Sequence, residues 1–180
     1  MSELNIQFGD AVRTIPSPAT VADAIKAFDR DLLKRALAAK VNGEEVDLNR
    51  SLDASDEVIS IEPVTVDSLD GLEVIRHSTA HLLAAAILDL FPGTKLGVGP
   101  ALMEDPRYGF FYDIIAPRML SDDDLPMIEK RMREMAKRNL PYRREDVDKA
   151  KILDIFKERE EPLKCELIDE KVDGTASIYY

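Results

Sequence analysis

"LNIQFGDAVRTIPSPATVADAIKAF", residues 4–28, decides the architecture of the N-terminal part of the chain. Leu4, Ile6 and Phe8 alternate with polar residues, as a half-buried strand requires. Gly9-Asp10 is a turn signal and "AVRTI" alternates again, so the two runs read as a hairpin. "PSPAT" interrupts the pattern, and Thr20 stands where its hydroxyl can cap a helix through "VADAIKAF". Val21, Ala24, Ile25 and Phe28 share one face of that helix. A second short helical stretch, "DLLKRALAA", is expected next. In "KVNGEEVDL", Asn42-Gly43 joins two short extended runs in a two-residue hairpin, and "EVISIEP" adds a last alternating strand. The order β-β-α-β-β with a final strand predicts a helix laid across a mixed sheet. That is a β-grasp, or ubiquitin-like, unit over residues 1–62.

"PVTVDSLDG", residues 63–71, reads as a linker, and a second α+β unit is expected over 72–180. It opens with a helix that stops at Phe91, because Pro92-Gly93 cannot continue it. "KLGVGPALM" and "YGFFYDII" are extended and form a hairpin around "EDPR". A second helix starts within "SDDD" and runs to about Asn139, with Leu125, Ile128, Met132 and Met135 on one face. "PYRREDV" reads as a strand and "DKAKILDIFKERE" as a helix with Ala150, Leu153 and Ile155 or Phe156 inward. "PLKCELID" reads as a strand, and "DGTASIYY" as a turn and a further strand. A chain that stops on an apolar, β-prone run reads as a piece of something longer; a natural edge strand is the alternative.

Composition narrows the class. With 35 acidic against 24 basic residues, the net charge of −11 argues against phosphate binding over the whole surface, so a nucleic acid would need a local basic patch. No apolar run reaches membrane-spanning length, and the N-terminus lacks the pattern of a signal peptide, so no membrane partner is expected. A lone cysteine, Cys165, excludes an internal disulfide and fits a reducing, cytoplasmic compartment.

The chain has two histidines, His77 and His81, and the spacing puts both on one face of a helix. Ala84 and Leu88 continue that face, with Ala85 beside it, which leaves room for a ligand. The rest of this helix is apolar nearly all round, so it is expected to be buried. Three readings follow. The histidines are structural; or they are half of a zinc site, for which Cys165 is the one thiol on offer; or they position and activate water.

"RHSTAHLLAAAILDLFPGTKLGVGP", followed by "YGFFYDI", resembles the start of the editing domain of bacterial threonyl-tRNA synthetases. The first 62 residues resemble that family's TGS domain, through "VNGEEVDL" and "EVISIEP". The resemblance implies an aminoacyl-tRNA ligase whose editing site hydrolyses serine wrongly joined to threonine tRNA. It implies that His77 and His81 are the first pair of site residues and that Lys164 lies in the pocket. It implies that Gly99, Tyr112 and Tyr179 approach the substrate's terminal adenosine. The family's second pair, Cys-x3-His, has no counterpart in these 180 residues, so the editing domain reads as incomplete and weakly active or inactive. No cofactor or metal ligand is implied here; ATP, magnesium and zinc belong to a core that this chain lacks. The implied partners are threonine tRNA and the remaining domains of the synthetase, with a homodimer for the full enzyme only.

Lys130, Arg131, Lys137 and Arg138 lie opposite the apolar stripe of the second helix, with Arg143 and Arg144 shortly after. This one basic concentration is the candidate contact with the tRNA backbone. The alternative is a solvated face on which Glu129 and Glu134 pair locally. Lys164, likewise, is either a pocket residue or a solvated surface lysine. Two other functions stay open: a non-catalytic TGS-type module that docks RNA or a partner domain, and a zinc-binding editing domain of the alanyl-tRNA type.

Overall fold

Glu3–Phe8 (β1) and Ala11–Pro16 (β2) form the predicted antiparallel hairpin, turned by Gly9 at a positive φ of 58°. Ala19–Thr20 (β3) leads into the helix Val21–Phe28 (α1). The cap of α1 is reciprocal: the Asp23 amide donates to the Thr20 hydroxyl at 3.2 Å, and the Thr20 amide donates to the Asp23 carboxylate at 3.1 Å. The computed structural model describes residues 2–52, 57–105, 107–140 and 144–179. It divides into two units, Met1–Ile75 and Arg76–Tyr180, each described by itself.

The stretch read as a second helix is only partly helical. Arg30–Leu33 (α2) is a single capped turn, with the Asp29 carboxylate accepting from the amides of Asp31 and Leu32. Ala36–Val41 (β4) is then a strand. Alanine favours helix locally, but β4 has ladders on both sides, so the sheet satisfies its backbone better. Glu44–Asp47 (β5) follows through the Asn42-Gly43 turn, whose φ values of 50° and 87° are both left-handed. Ser51–Leu52 (β6) pairs with β3, and Ile59–Thr65 (β7) completes the unit.

The five-stranded sheet has the order β2-β1-β7-β4-β5, with β1 and β7 parallel and the other pairs antiparallel. The apolar face of α1 packs Val21, Ala24 and Ile25 into a core with Leu4, Ile6 and Ile61, all 0–1% exposed. This is the expected β-grasp.

The linker shrinks to residues 66–68, because β7 takes 63–65 and the helix Leu69–Leu90 (α3) takes 69–71. Ser68 stops one and starts the other: its hydroxyl donates to the Thr65 carbonyl at 2.8 Å and accepts from the Gly71 amide at 3.0 Å. A Cβ on Gly71 would lie 1.9 Å from that carbonyl oxygen, so only glycine fits there. Arg35–Asp67 and Lys40–Asp70 ion pairs tie this junction to β4 and the residue before it.

In the second unit, Lys95–Leu96 (β8) pairs antiparallel with Ile114–Ile115 (β9). A bridge between Ala101 and Phe110 extends the pair toward its tip, as the predicted hairpin requires. A 3₁₀ turn, Asp122–Asp124, leads into the helix Leu125–Lys137 (α4). Asp124 takes a two-pronged ion pair from Arg118, at 2.6 and 2.9 Å, and accepts from the Ser121 amide at 2.9 Å. These bonds hold its carboxyl well below the usual carboxylate range, the Arg118 hydrogen bonds contributing most.

On α4 only Ile128 is buried; Met132 and Met135 are half-buried, while Leu125, expected inward, is exposed at the first turn. Ile128 packs with Ile87 and Phe91. Arg144–Asp148 (β10) pairs antiparallel with Thr175–Tyr179 (β11). Lys149–Glu158 (α5) buries Ile152 rather than the expected Ala150, which is exposed. Pro162–Lys171 (α6) is a helix where a strand was expected. Alternating Leu163, Cys165 and Leu167 imitate a strand, but Pro162 at the first position presets a helical φ, and Ile168 packs on Val147, Ile152 and Ile178.

Candidate active site

α3 buries Ala80, Ala84, Ala86 and Ile87, and leaves Ala85, Leu88 and both histidines exposed. The expectation of a helix buried all round is therefore corrected, and so is the open place expected at Ala84: Ala84 is buried, while Ala85, Leu88 and both rings meet solvent. His77 and His81 face each other with Nε2 atoms 2.8 Å apart and ring centroids 4.7 Å apart. At that distance one Nε2 must donate and the other accept, so the pair holds a single proton between the rings. The pKa of His81 is pushed below its ordinary value, first by lost hydration, then by repulsion from His77 and from Lys164.

Lys164 sits in the first turn of α6 and reaches back to the β8–β9 hairpin. Its ammonium donates to the Gly97 carbonyl at 2.7 Å and to the Tyr112 hydroxyl at 3.2 Å, and lies 5.5 Å from the centre of the Tyr112 ring. The ring in turn rests on the Gly99 backbone, where a Cβ would fall 2.2 Å from Tyr112 Cδ2. Glu161, at the start of α6, accepts from the Leu96 amide at 3.3 Å and fixes the helix against β8. The structure thus brings Lys164, Tyr112 and Gly99 together and sets the lysine charge near His81. Gly97 was missed; the signal for it was its place two residues before Gly99 in "KLGVGP". The backbone of Tyr179 pairs with Arg144 in β11, and its side chain lies outside the described residues.

An ammonium has three N–H groups. Two of those on Lys164 are used within the protein. The site therefore offers a base pair of imidazoles that share one proton, and a fixed cation with a donor to spare among the described residues. That set can polarise a carbonyl and accept a proton from water. Among the described residues no group of three or more His, Cys, Asp or Glu side chains gathers for a metal ion. Cys165 is half-buried and lines a groove with Lys95, Lys157, Glu161 and Glu166.

The basic residues of α4 separate into two sets. Lys130, Lys137 and Arg138 are exposed and carry no ion pair among the described residues. Arg131 does not belong with them: it is half-buried, bonded through Nε to Asp89 at 2.8 Å and through Nη1 to Glu134 at 3.1 Å. Asp89 lies on α3, 42 residues earlier, a pairing that no local pattern reveals. Arg133 was overlooked, and it is paired with Glu129 one turn back. Arg143 lies outside the described residues, and Arg144 pairs with Asp146.

Residues 8–61 match the family model described as the TGS domain, so the β-grasp unit is a TGS domain. The match does not stop at that unit. Over 97% of its length the chain is 44% identical to a threonine–tRNA ligase of Streptococcus uberis, and over 92% it is 44% identical to one of Rubrobacter xylanophilus. A threonine–tRNA ligase of Streptococcus pyogenes serotype M5 is 42% identical over 98% of the chain. The chain spans about a quarter of the length of these curated relatives, 24–26%. Over nearly its whole length the chain is similar to the N-terminal regions of threonine–tRNA ligases. No helix among the described residues is long and apolar enough to cross a membrane.

Proposed function

We propose that the chain is the N-terminal part of a threonine–tRNA ligase and carries its proofreading site, which hydrolyses seryl-tRNA(Thr). The observation that supports this best is the exposed imidazole pair with Nε2 atoms 2.8 Å apart, close enough to Lys164 for His81 to feel its charge. Serine and threonine differ by one methyl group, worth only about 1–3 kcal/mol of discrimination in a binding pocket. A separate hydrolytic site removes the error that binding leaves. The aminoacyl ester is already activated, so the site needs a placed water, a base and a donor for the oxyanion.

His81, held neutral at physiological pH, takes the proton from the attacking water. His77 fixes the tautomer of His81 through the shared proton. The free N–H of Lys164 donates to the ester carbonyl oxygen as negative charge develops, or to a neighbouring phosphate. Tyr112 and Gly97 hold that ammonium in place, and the closeness of Tyr112 to Gly99 fixes the ring. Lys130, Lys137 and Arg138 give α4 an exposed cationic face for the tRNA backbone. The remaining domains of the same synthetase are the other partner.

Deacylation of seryl-tRNA(Thr) by the 180-residue chain, and by a form extended by about 20 residues, one further strand and turn, tests the reading. Weak or no hydrolysis by the shorter form and hydrolysis by the longer one are expected. His77→Gln and His81→Gln should each abolish it. Robust hydrolysis by the shorter form would remove the need for a second residue pair, and an inert longer form would remove the editing function itself. In that case a non-catalytic RNA-docking role, favoured by the exposed cations of α4 that carry no ion pair among the described residues, takes its place.

A further inference from the structure

The β8–β9 hairpin is too slight to hold its own shape. Two strands alone are marginal in water, and this pair carries glycines at 97, 99 and 109. It is also bulged. The Gly97 amide donates to the Asp113 carbonyl at 2.7 Å, but the Asp113 amide donates to the Val98 carbonyl at 2.8 Å, which leaves the Gly97 carbonyl to Lys164. α6 braces this base of the hairpin through Lys164 and Glu161. The last rung before the tip, the Leu102 amide on the Gly109 carbonyl at 2.9 Å, lies at the other end.

Arg76 grips that rung. Its Nη1 donates to the Leu102 carbonyl at 2.5 Å and lies 4.0 Å from the Met103 sulfur. Its stem passes over Gly109, where a Cβ would fall 3.2 Å from Nε and 3.5 Å from Cγ and Cδ. Three arginines are half-buried among the described residues. Carboxylates hold Arg131 and Arg144, whereas main chain holds Arg76. Its contact therefore joins two elements instead of balancing an acid.

We infer that Arg76 is a positioning residue: by latching the hairpin tip to α3, it sets the hairpin, and through Gly97 and Tyr112 the Lys164 ammonium, against the helix that carries the imidazoles. The latch point is the residue before His77, so motion of the tip is motion relative to the pair. The effect on hydrolysis rests on the proofreading reading; the latch itself does not.

Arg76→Met removes the donors and keeps an apolar stem; Arg76→Lys keeps the charge and an N–H donor. Both residues favour helix as arginine does, and circular dichroism checks that α3 is kept. Hydrogen exchange at the Leu102 amide should quicken about tenfold in Arg76→Met, the weight of one hydrogen bond from a charged donor, and less in Arg76→Lys. In the extended form, kcat for seryl-tRNA(Thr) should fall on the order of tenfold to a hundredfold in Arg76→Met at nearly unchanged KM, and Arg76→Lys should recover most of it. The His81 titration gives a readout that needs no activity. Lys164 helps to hold that pKa down, so a loosened hairpin lets it rise. Arg76→Met should raise it more in the parent than in Lys164→Met, where only the direct loss of the arginine charge is left. Unchanged exchange at Leu102, parental kcat in Arg76→Met, or equal His81 shifts in the two backgrounds overturns the inference. An extended form that never hydrolyses the ester removes the proofreading reading alone, and the exchange and titration arms then decide the latch.

Discussion

Gly99→Ala puts a methyl group where the Tyr112 ring now lies. The new Cβ would be 2.2 Å from Cδ2 and 2.3 Å from Cε2, and ordinary contact starts at 3.4 Å, so the ring must retreat by about 1.2 Å. Its backbone cannot follow easily, because the neighbouring Asp113 amide donates to the Val98 carbonyl at 2.8 Å and the Gly97 amide donates to the Asp113 carbonyl at 2.7 Å. A ring displaced that far loses the Lys164 ammonium, now 3.2 Å from its hydroxyl. Overpacking of this kind costs about 1–3 kcal/mol, and the lost hydrogen bond about 1 kcal/mol more.

The backbone at Gly99 is not left-handed, so alanine carries no conformational penalty there. With the ring removed by Tyr112→Ala, the Gly99→Ala change should therefore stabilise by about 0.4–1 kcal/mol, through the unfolded chain alone. Urea unfolding of the four forms, followed by circular dichroism, closes the cycle. The expected result is a change of sign between the two backgrounds. An equal cost in both backgrounds would show that the ring is not what excludes a side chain at position 99.

Gly43→Ala is the contrasting case: φ is +87° and nothing lies within 4 Å of a new Cβ, so the cost is backbone strain alone, about 1–2 kcal/mol in the same unfolding assay. Asp124 is more acidic folded than its ordinary value of 3.8, so the unfolded state binds its proton more readily. Its stabilisation is present in full above that value and is lost as pH falls below it. Thermal melts from about pH 7 down to about pH 3 should therefore drop more steeply for the parent than for Asp124→Asn, and parallel curves would remove the assignment. In imidazole NMR titrations, His77→Gln and Lys164→Met should each raise the His81 pKa, since both partners push it down. Reversing Lys130, Lys137 and Arg138 together should weaken tRNA binding and flatten its salt dependence at unchanged stability. Arg131→Glu should instead lower stability, because it breaks the pair with Asp89.

What could be read from the chain was mostly local. Gly9 and Asn42-Gly43 are turns because few other residues take their φ values, and Thr20 with Asp23 writes a cap in four residues. Pro92-Gly93 ends α3 for equally local reasons. The elements that were misread are those where distant pairing overrules local preference. Ala36–Val41 prefers helix until β5 and β7 bracket it, and Pro162–Lys171 alternates like a strand until Ile168 finds the core. In the site, the histidine spacing was visible at once, since two residues on one turn must share a face. Lys164, Tyr112 and Gly99 came from resemblance, because 52 residues separate the lysine from the tyrosine that holds it. The exposure of the histidines was hidden by the apolar content of α3, of which Ala80, Ala84, Ala86 and Ile87 turn toward the core while Ala85 and Leu88 stay outside.

That exposure changes the electrostatic argument. A fully buried pair would need partners for every nitrogen, and burial alone would hold it neutral. Here partial loss of hydration acts on His81 together with two like charges, His77 and Lys164, and all three push the same way. His81 is thereby biased toward its neutral form while its ring stays open to solvent. Lys164 then has two effects from one position. Its charge keeps a proton off His81, and its bonds to Gly97 and Tyr112 hold α6 to the hairpin. A lysine that merely braced α6 against the hairpin would serve through its bonds to Gly97 and Tyr112, and its removal would move the His81 titration without touching hydrolysis. A lysine of the site moves that titration and the hydrolysis together.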